Sequence, residues 1–201
     1  MSERRAHGGI RFAVFFFLAS AVFPSLSRAQ VPVFKITTED SSIKFSVKAS
    51  VAVNGTFDKW DANLTFTSTD VTTGVLDIKI QADSINTGSG MKDGKLKGKD
   101  FFDVKEDPLI TFLSKKIVQT GPNTLDYVGD FTIRGVTKPE KLTFTLSGKG
   151  TGSGEIKGKM VFNRKDYGMN KGIPFIKIAD HVDVNFHLKG KRVSGPPLDL
   201  N

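Results

Sequence analysis

Apolar and polar residues alternate one for one through most of this chain, and a period of two commits it to β-strands with one wet face. Ile43, Phe45 and Val47 interleave with Lys44, Ser46 and Lys48, and Trp60, Ala62, Leu64 and Phe66 interleave with Asp61, Asn63 and Thr65. The pattern returns at Leu76, Ile78, Ile80 and Ala82, at Leu125, Tyr127, Phe131 and Ile133, and at Leu142, Phe144 and Leu146. It closes with Ile156, Met160 and Phe162, then Val182, Val184, Phe186 and Leu188. Thr72-Thr73-Gly74, Gly121-Pro122-Asn123 and the stretch from Gly148 to Gly154 punctuate these runs at hairpin spacing, so successive strands are expected to be antiparallel neighbours. No long helical period intervenes, which argues against crossover helices and a parallel sheet. Many half-buried strands in one modest chain predict an all-β sandwich or a closed barrel, and closure leaves no exposed edge.

Gly88 to Pro108 breaks the alternation. It reads as a connector with one or two helical turns, in which Leu96 and Phe101 or Phe102 plug one end of the barrel while Lys92, Lys95, Lys97 and Lys99 stay solvated. The segment from Ser194 to Asn201, with Pro196 and Pro197, is expected to be loosely held.

The first residues obey a different rule. Arg4, Arg5 and Arg11 precede an apolar run from Phe12 to Leu18 that continues to Phe23, and the small-residue pattern Ser27-Arg28-Ala29 follows. This predicts a cleaved secretory signal peptide over residues 1–29 and a single domain over residues 30–201. The run is shorter than the roughly 20 residues that span a bilayer. The chain has no cysteine, which removes a lipoprotein anchor, disulfides, thiol chemistry and cysteine-ligated metals. Arg4, Arg5, Arg11 and Arg28 against Glu3 put three of the eight net positive charges in the leader, so the mature domain is mildly basic. Its lysines are scattered without an arginine cluster or aromatic interleaving, which argues against nucleic acid and is compatible with transient contact with a membrane surface.

A catalytic reading finds little to stand on. His181 and His187 share one strand face but lie roughly 20 Å apart, too far for one metal ion, so no metal site is expected. The glycines from Gly150 to Gly154 join two alternating strands instead of flanking a helix, so a hairpin is expected there, not a phosphate loop. Asp180 and Asp183 have no context that marks them as an acid and a base. Phenylalanine, in contrast, is abundant: of seventeen, twelve follow the leader, among them Phe45, Phe66, Phe112, Phe131, Phe144, Phe162 and Phe186 on the inward phase. An eight-stranded barrel can be filled by such side chains or can enclose one apolar ligand, and spacing leaves the two evenly matched.

Several ordered motifs bear on that choice. They are Phe45-Ser46-Val47-Lys48, Asn54-Gly55-Thr56-Phe57, Ser84-Ile85-Asn86-Thr87-Gly88, Asp100-Phe101-Phe102-Asp103, the run from Pro108 to Ser114, the run from Gly129 to Pro139, and the run from Asn163 to Met169. Together they resemble the YceI-like family of bacterial polyisoprenoid-binding proteins over nearly the whole mature chain. The resemblance implies an extended lipocalin-like, eight-stranded antiparallel up-and-down barrel with a short helical connector, located in the periplasm. It implies a long apolar pocket for an isoprenoid lipid, either a polyprenyl chain or a quinone-like tail, with no cofactor otherwise and no enzymatic activity. Many members carry a histidine where this chain has Ala49, so any part played by that imidazole is absent here. Asp100, Asp103, Gly135 and Arg164 match motif positions and are expected to serve turns, caps and barrel-end hydrogen bonds.

On this reading the lipid-lining residues are Phe45, Val47, Leu64, Phe66, Ile78, Ile80, Phe112, Phe131, Phe144, Phe162, Val184 and Phe186. If the connector lies at the opening, Lys92, Lys95, Lys97 and Lys99 would attract an anionic head group. The expected function is binding, transport or storage of the lipid in the barrel lumen. The alternative is a stress-related structural or interaction protein whose barrel is filled by its own side chains, and oligomeric state is left open.

Overall fold

The computed structural model describes residues 30–148, 152–172 and 175–200. The leader, its cleavage site and the glycine turn at residues 149–151 lie outside the described residues. Among the described residues, ten strands form one antiparallel sheet: β1 (Val33–Ala49), β2 (Val53–Phe57), β3 (Trp60–Thr65), β4 (Val75–Gln81), β5 (Ile85–Asn86), β6 (Leu109–Gly121), β7 (Thr124–Ile133), β8 (Val136–Ser147), β9 (Ser153–Asn163) and β10 (Ile178–Ser194). One helix, α1 (Gly90–Lys97), sits in the connector.

The order across the sheet is β3-β4-β6-β7-β8-β9-β10-β1-β2-β5. The sheet curls around a continuous apolar core but stays open, which corrects the expected closed eight-stranded barrel. The reason lies at Asp58 and Lys59, which divide one alternating run into two short strands. Before the break, β2 pairs with β1 through Ile43 opposite Phe57; after it, β3 pairs with β4 through Trp60 opposite Ile80. The break itself is held by Asp58 donating its N–H to Ser84 O (3.1 Å) and Gln81 donating its N–H to Lys59 O (2.9 Å). The two edge regions of the sheet are thus adjacent in the chain.

The alternation becomes burial as expected. Leu125, Tyr127, Phe131 and Ile133 of β7 face inward, as do Met160 and Phe162 of β9 and Val182, Val184, Phe186 and Leu188 of β10. The phenyl rings fit because glycine stands opposite two of them. A Cβ on Gly158 would lie 2.2 Å from the Phe144 ring, and one on Gly55 would lie 2.6 Å from that of Phe45. Ser114 continues the inward phase of Ile110 and Phe112 just before a register shift in β6, and its hydroxyl accepts the Leu76 N–H at 2.8 Å. That bond satisfies a backbone donor that the ladder leaves free.

The two ends of the curled sheet differ. At one end the connector packs as predicted: Phe101 is buried and Phe102 meets Phe57 edge-on, ring centroids 5.8 Å apart. Arg134, in the tight β7–β8 turn, donates to Lys99 O (3.0 Å) and Gly168 O (2.7 Å) and so binds the connector to the chain after β9. The opposite end gathers the β6–β7 and β8–β9 hairpins and the segment after β10. That segment is not loosely held. Leu198 and Leu200 pack on the core, while Asp199 donates its N–H to Thr69 O (2.8 Å) and accepts from the Thr69 hydroxyl (2.5 Å). Proline at 196 and 197 cannot extend the β10 ladder, so the chain turns across the end of the sheet.

Candidate ligand-binding site

An apolar pocket of about 130 Å³ opens at this second end. Phe34 of β1, Leu64 of β3, Phe66 and Val71 from the β3–β4 connection, Leu146 of β8 and Ile156 of β9 form its wall. Five segments deliver them. Phe34 lies between two register shifts in β1, and Val71 is turned inward by a short helical turn that Asp70 caps by accepting the Thr72 N–H at 2.8 Å. Phe34 and Phe66 meet edge-on with centroids 5.9 Å apart. Ser147, Ser153, Glu155 and Arg192 provide the polar rim, and Pro197, Leu198 and Leu200 lie across the mouth.

Tyr127 of β7 also lines the pocket, its ring edge-on to Phe144 at 5.0 Å. Burial pushes its phenol far above the ordinary tyrosine range, so it remains a neutral hydroxyl at any physiological pH.

Of the residues expected to line a lumen, Leu64 and Phe66 line this pocket. The others form the packed interior. Phe144 and Phe186 meet edge-on behind Tyr127 with centroids 6.0 Å apart, and Phe131 and Phe162 (5.3 Å) enclose Tyr167. Phe45 packs on Phe57 at 5.5 Å, toward the connector end. Ile78, Ile80, Phe112 and Val184 are buried among these rings, and Val47 is half-buried opposite Val53. Phe34, Val71, Leu146, Ile156, Leu198 and Leu200 were missed as lining residues. Leu198-Asp199-Leu200 carried a legible signal, a last alternating step that two prolines masked.

The connector lysines lie at the other end of the sheet, away from the pocket. Lys92, Lys95 and Lys99 are exposed, and Lys95 pairs with Asp100 at 3.1 Å. The matched motif residues are structural. Asp103 and Gly135 take left-handed backbone conformations in turns. Arg164, only 6 % exposed, donates to the carbonyls of Ala179 (3.0 Å), Lys171 (3.1 Å) and Met169 and reaches Asp180 at 3.3 Å. Asp180 also receives Lys165 at 2.8 Å, and that hydrogen bond holds its carboxyl below the usual range. An ionised carboxylate between two cations is a poor general acid. His187 lies on the outer face with Nε2 3.4 Å from Glu155, whose carboxyl it lowers, and His181 is exposed. Among the described residues, no group of three or more His, Cys, Asp or Glu is placed to hold a metal ion.

One antiparallel sheet curled about an apolar core, with a pocket at one end and no assembled acid–base or metal centre among the described residues, defines a lipocalin-like binding fold. The chain belongs to the YceI-like domain family, whose model matches residues 34–190. A UPF0312 protein of Pseudomonas savastanoi pv. phaseolicola is 31 % identical over 139 residues, covering 67 % of this chain and 72 % of the relative. BcnA of Burkholderia cenocepacia is 26 % identical with a TM-score of 0.70, over 77 % of this chain and 99 % of that one. A polyisoprenoid binding domain from Saccharophagus degradans, implicated in plant cell wall breakdown, shares the fold with a TM-score of 0.63 at 14 % identity, over 80 % of this chain and 99 % of that one.

Proposed function

We propose that this protein binds a long apolar isoprenoid lipid, polyprenyl or quinone-like, and carries or stores it in the periplasm without acting on it chemically. The observation that carries the reading is the end-on pocket walled by Phe34, Leu64, Phe66, Val71, Leu146 and Ile156. Membership of the YceI-like family supports both the ligand class and the periplasmic location. The Saccharophagus domain, which is described as polyisoprenoid binding, contributes its fold to the argument.

Size decides how such a ligand sits. A cavity of about 130 Å³ is near the volume that holds one benzene ring, so it takes one or two isoprene units. A longer chain gains room by displacing Leu198 and Leu200 at the mouth and by repacking against the deeper rings, Phe144 and Phe186 first. Burial of a dozen methylenes stabilises the complex by roughly 10 kcal/mol before the cost of association, ample for retention. Phe45, Val47, Ile78, Ile80, Phe112, Phe131, Phe162 and Val184 are then the wall that a fully inserted chain touches. Loading and release involve transient contact with a membrane, where the lipid is dissolved.

The tight packing of those inner rings favours a second reading, a structural or stress-related interaction protein with a filled interior. Organic extraction of natively purified protein, followed by mass spectrometry, separates the two. The lipid reading expects one long-chain isoprenoid per protein molecule. Protein that yields no lipid and takes up no added polyprenol from vesicles would sink it.

A further inference from the structure

The outer face of the sheet carries its charge unevenly. On β1, β9 and β10, strand alternation sets a lysine outside several positions of the pocket wall: Lys35 follows Phe34, Lys157 follows Ile156, and Lys189 and Lys191 flank Gly190. Strand pairing gathers them into one strip. Lys35 lies directly opposite Lys191 and His187 opposite Lys157, while Asn185 stands between Lys44 and Lys159. Glu155 takes up part of this charge, with Lys157 at 3.7 Å and His187 at 3.4 Å, and Asp40 reaches Lys189 at 4.0 Å. Lys35 and Lys191 are exposed, and neither meets a carboxylate among the described residues. Like charges directly opposite each other across a ladder destabilise it, so the fold carries this pair at a cost. The other flank is built differently: Lys79 pairs with Asp77 (3.2 Å), Lys115 with Asp130 (2.6 Å) and Lys141 with Asp126 (3.0 Å). Val33 and Val193, two residues before Lys35 and two after Lys191, are 43 % and 56 % exposed.

We infer that the strip centred on Lys35 and Lys191 is a docking surface for an anionic phospholipid membrane, which seats the pocket end of the sheet against the source of its ligand. The inference rests on the lipid-binding reading and names the face that makes the membrane contact. A layer of lipid phosphates supplies counter-charge to several lysines at once, and it relieves the repulsion between the paired Lys35 and Lys191. Val33 and Val193 give the same edge two apolar side chains that lose water in the contact. The flank bearing Lys79, Lys115 and Lys141 has acids to satisfy its cations and turns away from the bilayer. Because Phe34 and Ile156 are sequence neighbours of strip lysines, the docked face is the outer side of the pocket wall itself, and the lipid's path between bilayer and pocket is short.

The test is co-sedimentation with vesicles of phosphatidylcholine alone and of phosphatidylcholine mixed equally with phosphatidylglycerol. Wild-type protein is expected to partition onto the mixed vesicles and to leave the neutral ones. Lys35→Gln combined with Lys191→Gln is expected to weaken that partitioning about tenfold to thirtyfold, the worth of two lysines at an anionic surface. Lys92→Gln combined with Lys99→Gln removes the same charge from the connector end, beyond a Debye length from the docked face, and is expected to stay within about twofold of wild type. Equal partitioning of wild type onto both vesicles overturns the inference. So does an unchanged strip variant, or an equal loss in both variants, which would make net charge the cause. Uptake of N-phenyl-1-naphthylamine in vesicle-free solution reads the pocket separately. Uptake that persists where docking fails overturns the docking surface alone, whereas wild-type protein that takes up no dye overturns the lipid reading.

Discussion

Gly158 shows how one absent side chain shapes the interior. It lies opposite Phe144 on β8 and Phe186 on β10, and the Phe144 ring occupies the space that a Cβ would need. Gly158→Ala forces that ring, and the Tyr127 ring resting on it, out of position. The expected loss is about 1–3 kcal/mol of stability, the cost of overpacking, read as a lower urea midpoint with an unchanged slope. Since Phe144 backs the pocket floor, binding of an apolar probe falls in the same variant. Arg164 illustrates the opposite device, a buried cation that ties three carbonyls and Asp180 together where β9 gives way to β10. Such a group shapes the end of the sheet and performs no chemistry.

At the scale of elements, the segment after β10 is the part whose role depends most on what it touches. Its hold consists of the Thr69–Asp199 pair, one bridge between Asp70 and Asp199, and two half-buried leucines. Truncation after Gly195 is expected to cost about 1–2 kcal/mol, mostly from lost leucine burial. It is also expected to raise the fluorescence of added N-phenyl-1-naphthylamine, because the pocket loses its cover. A truncated protein with unchanged stability and dye uptake would show that the segment does not occupy the mouth. The helical connector, in contrast, was legible from its loss of alternation: Leu96, Phe101 and Phe102 pack inward as their apolar character demands. Its end of the sheet was not legible, because a lysine cluster looks the same at a pocket mouth and at a closed floor.

For the molecule as a whole, acid is the informative perturbation. Hydrogen bonds from Asn86 to Asp58, from Thr143 to Asp126 and from Lys165 to Asp180 lower all three carboxyls in the folded state. A lowered folded value means that the unfolded chain binds protons first, so stability is fully present above the ordinary aspartate value near pH 4 and is lost as pH falls through the lowered ones. The melting temperature is expected to stay level from neutral pH to about pH 5 and to drop below about pH 4. A decline that begins near pH 6 would point to a histidine instead.

The alternation in the sequence was enough to place β1, β3, β4 and β7 to β10, to expect antiparallel neighbours and to give most of the inward set from Ile43 to Leu188, because a period of two is a local property of neighbouring residues; β2, β5 and β6 lay outside the alternating runs. The motif resemblance was enough for the family, and the scarcity of chemistry-bearing groups was enough to favour binding. Only the tertiary structure decided that the sheet breaks at Asp58 and Lys59 and stays open, since the break depends on which partner each half finds. It also decided where the inward face is packed and where it is hollow. That difference arises from side-chain volumes on strands distant in sequence. The rings around Gly158 fill the middle, while Phe34, Leu64 and Ile156 diverge at one end and leave space that Tyr127, Leu198 and Leu200 border.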